Sequence, residues 1–457
     1  MKTIKINKIV IPDKVKYILN ILKENGYEGY VVGGAVRDTL LNRTVSDYDV
    51  TTNALPLEIK DIFKKHPVIE TGIKHGTVTV VIDHEPFEIT TYRVEGEYLD
   101  NRHPSKVFFT TSLKEDLSRR DFTINALALD INGNVIDYFN GVEDLNKKIV
   151  RCVGNPKKRF EEDGLRILRA IRFSAKLDFD IEEETSKAII NSMNLIKNIS
   201  VERIQKEFNG ILISKYTNRL ESVLRKYFDL FVLFIPELND LMINQNNMYH
   251  KNNLLFNHTL EVVKNADPDL ILRLSALFHD IGKKVCYSEE VLDNGTIKGH
   301  FYGHPLESAR IAKDIMKRLK YSNNEIDEVT WLIEYHDFEI AETKKSVKRI
   351  LNKCISFELF DKLLKLKDSD RKDHTNVDYN YIGYVDRIIK IKNEIIAEDS
   401  AFSLKHLAID GNDIISIGLS GKQVGEVLNY VLESVIEEKV ENNKESLIKF
   451  ISNKYIN

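Results

Sequence analysis

YVVGGAVRDTLLNRTVSDYDVTT, residues 30–52, is the stretch from which the rest of the chain is read. Tyr30-Val31-Val32 is apolar and β-branched, which predicts a short buried strand. Gly33-Gly34 ends it, and AVRDTLL then has helical spacing with Val36, Leu40 and Leu41 on one side. A glycine turn that opens a helix presents free backbone N–H groups, and the helix dipole there favours an anion. Arg37, in the first helical turn, adds a guanidinium that can grip phosphate oxygens in two places. A second strand is predicted to carry Asp47-Tyr48-Asp49. Residues i and i+2 of a strand share a face, so both carboxylates would project together. Close carboxylates repel unless a cation lies between them, and Mg²⁺ suits hard oxygen ligands while keeping positions open for substrate phosphates. Gly-Gly alone is an ordinary turn, and Asp-x-Asp alone an acidic strand end. In this order and spacing, with Arg37 between them, they predict a triphosphate and Mg²⁺ site.

Outward from that stretch, Pro12–Asn25 predicts a helix with Val15, Ile18, Leu19 and Leu22 on one face. Leu57–Lys65 predicts a short helix, and His75–Ile82 and Pro86–Tyr92 paired strands around the turn Asp83-His84-Glu85. On the second of these strands Phe87, Ile89 and Thr91 share one face, and Glu88 and Thr90 the other, so Glu88 is the natural third carboxylate. Arg93–Val107, with Gly96, Pro104, Arg102, His103 and Lys106, reads as a mobile loop. Asp116 to Asp121 sets a cationic pair between carboxylates, and Arg-Asp supplies the donors and acceptors that ribose hydroxyls need. Ile131–Leu145 predicts a β-hairpin with Asn132-Gly133 and Asn140-Gly141 turns. From Arg159 the pattern is helical, with Asp163, Arg166, Ile167 and Ala170 along one stripe and Arg169 and Arg172 near it. Asp and Arg at that spacing can satisfy the Watson–Crick edge of a base, although alone they would be an ordinary helix-surface salt bridge.

These motifs together resemble the class II tRNA nucleotidyltransferase and bacterial poly(A) polymerase family, a branch of the DNA polymerase β-like superfamily. The resemblance rests on GGAVRD with DYD in the head, RRD followed by FTINALA, and Glu162-Asp163-Gly164-Leu165-Arg166 as the EDxxR motif. It implies an α+β fold: a polymerase β-like nucleotidyltransferase head followed by an elongated all-helical body containing an HD domain. It implies that Asp47 and Asp49 hold Mg²⁺ with Glu88 as third carboxylate. Gly33, Gly34 and Arg37 would lie on the triphosphate, and Arg119, Arg120 and Asp121 on sugar and phosphates. Asp163 and Arg166, with Arg169 and Arg172, would form the protein template that selects CTP and then ATP. The loop at 93–107 leans against an enzyme that adds only cytidylate. Ile199–Leu212 resembles the neck helix, with Glu202 and Arg203 structural, and Arg219–Phe234 is strongly amphipathic up to Pro236.

A second site follows the Asn-rich linker 244–253. His258, His279-Asp280 and Asp370 occur in the order H…HD…D, and an Asp beside a His in an apolar helix is costly unless neutralised, as by a metal. The order resembles the HD phosphohydrolase family. Asp370 is preferred over Asp368 because Ser369-Asp370 followed by His374 aligns with that family's pattern, and His304 and His336 could contact phosphate or hold a second metal. The resemblance implies Ni²⁺, Mn²⁺, Co²⁺ or Mg²⁺ there. A scaffold without activity is the competing reading. Leu407–Ser452 resembles the helical segment that follows such an insertion, with Ser420-Gly421-Lys422 leading into a helix.

The chain has 457 residues, enough for about two to four domains. The division expected is a head at 1–145, a neck at 146–243, an HD domain at 244–395 and a C-terminal helical segment at 396–457. A net charge of −4 shows no global basicity, so any RNA surface is a local patch. Cys152, Cys286 and Cys354 form no CxxC pair, which argues against a cysteine zinc site or a disulfide framework and fits a reducing cytoplasm. No signal peptide or membrane span is predicted. The expected function is addition of CMP and AMP to the tRNA 3′ end from CTP and ATP. The alternatives are a poly(A) polymerase, against which the acidic-to-neutral end EEKVENNKES speaks, and a metal phosphohydrolase with an RNA-binding head. Oligomeric state is left open.

Overall fold

A computed structural model of the chain describes residues 2–5, 11–95, 107–246, 252–295, 297–373, 381–398 and 401–455. Most of the predicted loop 93–107, including Arg102, His103 and Lys106, lies outside these residues, as do His374 and positions 247–251 of the linker. The chain forms two compact units, Met1–Pro236 and Glu237–Asn457.

The first unit is built on β1 (Lys2–Lys5), β2 (Gly29–Val32), β3 (Asp49–Thr52), β4 (Val68–Ile69), β5 (Thr77–Ile82) and β6 (Glu85–Thr91). β7 (Arg93–Glu95) pairs with β8 (Val107–Phe109), and β9 (Leu127–Leu129) and β10 (Asn134–Asp137) complete the main sheet. Its order is β1-β10-β9-β2-β3-β6-β5-β4. β3 and β6 run parallel, and the other neighbours antiparallel. Asp83 and His84, at φ 48° and 65°, make the tight turn between β5 and β6. Phe87, Ile89 and Thr91 are buried and Glu88 is exposed, the alternation of a half-buried strand.

α1 (Asp13–Glu24) buries Val15, Ile18, Leu19 and Leu22, one stripe at helical spacing. α2 (Gly34–Leu40), α3 (Pro56–Ile62) and α4 (Leu113–Ser118) follow, and α5 (Gly141–Lys147) corrects one expectation. The Asn132-Gly133 hairpin joins β9 to β10, and the tight turn at Asn140, in the left-handed region at φ 60°, leads straight into a helix that the sequence reading places within the hairpin. Gly141 is required because a Cβ would stand 2.2 Å from the Thr123 carbonyl oxygen.

A second correction concerns the helix predicted through Asp163. Two helices stand there, α6 (Pro156–Glu162) and α7 (Leu165–Leu177), with Asp163 extended at φ −144° between them. Asp163 Oδ1 accepts from Leu165 N at 3.0 Å, a side-chain competitor for the backbone that ends one helix and starts the next. β11 (Ile149–Val150) and β12 (Asp180–Ile181) pair in parallel across α7. α8 (Glu183–Ser192), α9 (Val201–Leu212), α10 (Thr217–Lys226) and α11 (Phe228–Val232) complete the unit, so the amphipathic run 219–234 is interrupted at Tyr227.

The second unit is helical: α12 (Leu255–Asn265), α13 (Leu270–Phe278), α14 (His304–Arg318), α15 (Asn323–Tyr335), α16 (Lys344–Lys353), α17 (Phe357–Arg371) and α18 (Tyr384–Ala397). A hairpin of β13 (Ser288–Val291) and β14 (Ile297–His300) interrupts it. α19 (Gly411–Ser416), α20 (Lys422–Ile436) and α21 (Lys444–Tyr455) pack around Ile414, Val431, Leu432, Leu447 and Ile451. The whole is α+β, with the large sheet confined to the first unit.

Candidate functional site

The glycine turn sets the first site. Gly33 has φ 72° and ψ −132°, backbone that a side chain resists. A Cβ on it would also stand 3.2 Å from Arg120 Nη1, so the Arg120 guanidinium lies against the turn. Val32, the last residue of β2, is opposite Asp49, the first of β3. Val50 is level with Ile89 across the parallel pair, which sets Asp49 beside Glu88 one step back along both strands. Asp49 is exposed at the start of β3, but partial desolvation raises its carboxyl above the usual range, the Glu88 charge raises it further, Arg120 opposes, and Asp47 adds a smaller push. Two crowded carboxylates facing a guanidinium are a chemical fit for a divalent cation.

Asp47 is placed differently from the expectation. β3 begins at Asp49, so Asp47 sits in the preceding loop and shares no strand face with it. Its Oδ2 accepts from Ser46 Oγ at 2.9 Å. Among the described residues, no three of the head's acidic or imidazole ligand atoms lie within 4.8 Å of one another.

Arg37 is buried, with three of its five donors engaged: Nε at 3.0 Å and Nη2 at 2.8 Å from Asp38, and Nη1 at 2.7 Å from Asn125. The guanidinium that the sequence places on phosphate also braces the turn. Asp116, fully buried, was legible only as a flanking carboxylate, yet it organises the arginine pair. Its Oδ1 takes Arg119 Nε at 3.0 Å, and its Oδ2 lies 3.7 Å from Arg120 Nη2. Arg120 Nε is buried without a hydrogen-bond partner. Asp121 Oδ2 takes Arg169 through Nε at 2.8 Å and Nη2 at 2.6 Å. Burial works against the charged Asp121, and Arg169 and Asn125 outweigh it, bringing the carboxyl down to about 2.

The Asp163–Arg166 segment has partners of its own. Asp163 Oδ2 receives Arg203 Nη2 at 2.8 Å. Arg166 is buried and donates to Glu162 Oε2 at 2.7 Å, to the Arg159 carbonyl at 3.2 Å and to the Arg119 carbonyl at 2.9 Å. Arg172 is held by Glu207 of α9. The guanidiniums of Arg37, Arg169 and Arg172 lie 5.0, 5.5 and 4.5 Å from the centroid of one ring, Phe173. Glu207 and Phe173 carry no motif of their own, so only the packing of α7 on α9 discloses them.

The second unit gathers His258 from α12, His279 and Asp280 after α13, His304 at the start of α14, His336 after α15 and Asp370 from α17. Each imidazole spends Nδ1 outside the cluster. His258 Nδ1 meets Asp373 Oδ2 at 2.9 Å, His279 the Ala276 carbonyl at 2.9 Å, His304 the Phe301 carbonyl at 2.9 Å and His336 the Ile333 carbonyl at 2.6 Å. The backbone carbonyls at His279, His304 and His336 can only accept, so there Nδ1 carries the proton, and the Nε2 atoms of all four rings face into the cluster.

His258 Nε2 lies 3.2 Å from His279 Nε2, 3.3 Å from Asp280 Oδ2 and 3.2 Å from Asp370 Oδ1. His304 Nε2 and His336 Nε2 stand 3.2 and 3.7 Å from Asp280 Oδ1. Asp280 Oδ1 and Asp370 Oδ1 are buried without hydrogen-bond partners. His258-His279-Asp370 and His279-Asp280-His336 each have ligand atoms within 4.8 Å of one another. Burial opposes charge on His258, and the Asp280, Asp370 and Asp373 carboxylates outweigh it, lifting its pKa to about 10. This donor set of imidazole nitrogens and carboxylate oxygens fits a divalent metal. Asp368 is turned away to Lys372 at 2.8 Å, and His300 to Glu290 at 2.8 Å. Asp373, which orients His258, had no signal in the sequence reading.

Family profiles match three segments: the poly A polymerase head domain over residues 29–151, the probable RNA- and SrmB-binding site of polymerase A over 178–242, and the putative tRNA nucleotidyltransferase domain 2 over 306–451. Fold and head site define a nucleotidyltransferase of the polymerase β-like class. The CCA-adding enzyme of Lactobacillus helveticus is 35% identical over 462 residues, 98% of this chain and 99% of that protein. The CCA-adding enzyme of Enterococcus faecalis is 50% identical over 206 residues, 44% of this chain and 50% of that protein. The crystal structure of the Bacillus stearothermophilus CCA-adding enzyme in complex with CTP matches with a TM-score of 0.71 at 26% identity, over 97% of this chain and 98% of that one. The Thermotoga maritima CCA-adding enzyme complexed with tRNA-CCA shares the fold, with a TM-score of 0.60 at 22% identity over 97% and 96% of the two chains. This chain belongs to the CCA-adding enzyme family.

Proposed function

We propose that this chain adds CMP and AMP to the tRNA 3′ end, building or repairing the terminal CCA without a nucleic-acid template. The observation that carries this is the full-length likeness to a CCA-adding enzyme, joined to the Asp49–Glu88–Arg120 geometry at the glycine turn. Nucleotidyl transfer in this family is metal-dependent, and Asp47, Asp49 and Glu88 would hold Mg²⁺. When bound, the metal makes the primer 3′-hydroxyl more acidic and neutralises the departing pyrophosphate. Gly33 and Gly34 offer backbone N–H groups to the triphosphate, and Arg37 lends charge to it while bracing the turn. Arg119, Arg120 and Asp121 face sugar and phosphates. Asp163 and Arg166 read the base, steadied by Arg203, Arg169 and Arg172. The bond formed joins the 3′-oxygen to the α-phosphorus, the bond to pyrophosphate breaks, and no covalent enzyme intermediate is needed.

Incubation with tRNA lacking CCA tests this. CTP alone should add C residues, ATP alone nothing, and both together a complete CCA. Repeated addition from ATP alone would establish the poly(A) polymerase reading instead. Residues 146–243 would serve as neck and 396–457 as the terminal segment of the division expected from sequence. Three free thiols support a reducing cytoplasm as the site of action.

We infer a second activity in residues 244–395: hydrolysis of phosphate esters, including 2′,3′-cyclic phosphates, at an HD-type metal site. Four inward Nε2 atoms around two unsatisfied carboxylate oxygens support it. His258, His279, Asp280 and Asp370 would hold Ni²⁺, Mn²⁺, Co²⁺ or Mg²⁺, and His304 and His336 would hold a second ion or the phosphate. Bound metal supplies a more acidic water. Water adds to phosphorus, one ester P–O bond breaks, and its oxygen leaves as a hydroxyl. Two such hydrolyses turn a cyclic phosphate into the free diol that the head can extend. Replacing His279 and Asp280 by alanine should abolish metal-dependent phosphate release and leave CCA addition intact. Absence of release by the parent with all four metals would make the cluster a scaffold.

A further inference from the structure

We propose that Phe173 is a positioning residue for nucleotidyl transfer: its ring gathers the guanidiniums of Arg37, Arg169 and Arg172, so that the glycine turn and Asp121 meet the incoming nucleotide together. This rests on the reading that the turn and Asp121 face the nucleotide. The three guanidinium carbons lie 5.0, 5.5 and 4.5 Å from the ring centroid, all within reach of a cation–π contact. Like charges this close repel, and each guanidinium has a carboxylate to offset that. Arg37 pairs with Asp38 at 2.8 Å, Arg169 with Asp121 at 2.6 Å, and Arg172 with Glu207. Those carboxylates belong to separate elements: Asp38 to α2, Asp121 to the segment after α4, and Glu207 to α9. Three ion pairs from three parts of the first unit therefore converge on one side chain.

The surroundings hold the ring and make room for its cations. Phe173 is buried, and Phe122, the residue after Asp121, meets it in a T-shaped contact with centroids 5.7 Å apart and planes at 79°. Arg172 has a place cleared for it: a Cβ on Gly210 of α9 would stand 2.4 Å from Arg172 Cδ. Glycine weakens a helix interior, so this close approach is a reason for it to stand there. The face of an aromatic ring is negative, and its pull on a cation is stronger where water is excluded. Through Arg37 the ring steadies α2, whose first turn follows Gly33. Through Arg169 it steadies Asp121, whose Oδ2 takes Nε at 2.8 Å as well as Nη2. Weakening the face would loosen both supports and leave the carboxylates Asp49 and Glu88 unaltered. The loss should therefore fall on nucleotide binding more than on the chemical step.

The experiment replaces Phe173 in the full chain by mono-, di- and trifluorophenylalanine, which drain the negative face stepwise and keep the ring's shape. Steady-state addition to tRNA lacking CCA is then measured with CTP and Mg²⁺. The KM for CTP should rise with each fluorine, to about tenfold for the trifluoro ring, while kcat stays within about twofold. The KM for tRNA should not move. Phe173→Leu, which has no face, should raise the KM for CTP at least as far. A ring that serves only to fill space would leave KM flat along the fluorine series, and that result overturns the proposal. Asp121→Asn separates this failure from failure of the underlying reading. A raised KM for CTP in Asp121→Asn, with a flat fluorine series, keeps the reading of the nucleotide site and removes the role of the ring. An unchanged KM in Asp121→Asn removes that reading and the role of the ring with it.

Discussion

At the scale of single residues the head works by matching charges at close quarters. Asp49 is crowded by Glu88 and faced by Arg120, so in the proposed reaction its charge at that spot would be what counts. Asp49→Ala should reduce nucleotide addition by at least about a thousandfold, since loss of a metal-holding carboxylate removes several kcal/mol of charge stabilisation. Retention of tRNA binding, measured by filter retention, separates this from unfolding; near-parental CMP incorporation would refute the assignment. Arg166 makes hydrogen bonds to Glu162 and to the carbonyls of Arg159 and Arg119, linking the turn at Asp163 to the Arg119–Asp121 segment, which we propose read the base and hold the sugar. Arg166→Ala should therefore relax base choice, raising UTP and GTP misincorporation relative to CTP about tenfold, while lowering the CTP rate less. Unchanged rejection of UTP and GTP would show that Arg166 does not serve selection.

Elements owe their placing to a few close approaches. Gly282, in HDIGK, has its N–H bonded to Ser308 Oγ at 2.9 Å. A Cβ there would stand 2.6 Å from Ser308 N and 3.0 Å from the Glu307 carbonyl carbon, both in the backbone of α14. The same helix begins with His304, a member of the cluster. Gly282→Ala should push the first turns of α14 outward, cost about 1–3 kcal/mol, and weaken Mn²⁺ binding measured by calorimetry. An unchanged affinity in a folded variant would show that α14 is held elsewhere. In the first unit, the break at Asp163 does comparable work. One continuous helix would carry Asp163 and Arg166 as surface neighbours; the extended residue instead turns the carboxylate to Arg203 of α9.

For the whole molecule, two compact units with separate sites predict two responses to ligand. Anything that binds a folded unit and not its unfolded chain stabilises it, by about 2.7 kcal/mol at a hundredfold excess over Kd. Scanning calorimetry with Mn²⁺ should raise a transition that disappears from the response in the His279→Ala, Asp280→Ala variant. CTP with Mg²⁺ should raise one that responds in both proteins. A single transition moved alike by both ligands in both proteins would show that the units unfold as one. Among the described residues no helix is long and apolar enough to cross a membrane.

The sequence by itself determined what depends on neighbours along the chain. The strand–turn–helix of residues 30–41 follows from β-branched residues ended by Gly33-Gly34. The β5–β6 hairpin and the outward face of Glu88 follow from period-two alternation. Asp370 is preferred over Asp368 on a family resemblance, and folding turns Asp370 to His258 and Asp368 to Lys372. Tertiary structure decided what depends on partners remote in sequence. Asp47 leaves the strand because pairing with β2 starts at Asp49. Arg37 turns to Asn125, 88 residues away, Arg172 to Glu207, and His258 to Asp373. A buried guanidinium or imidazole must find a counter-charge or an acceptor, and which one it finds is fixed by how helices and strands pack, a fact that no local periodicity encodes.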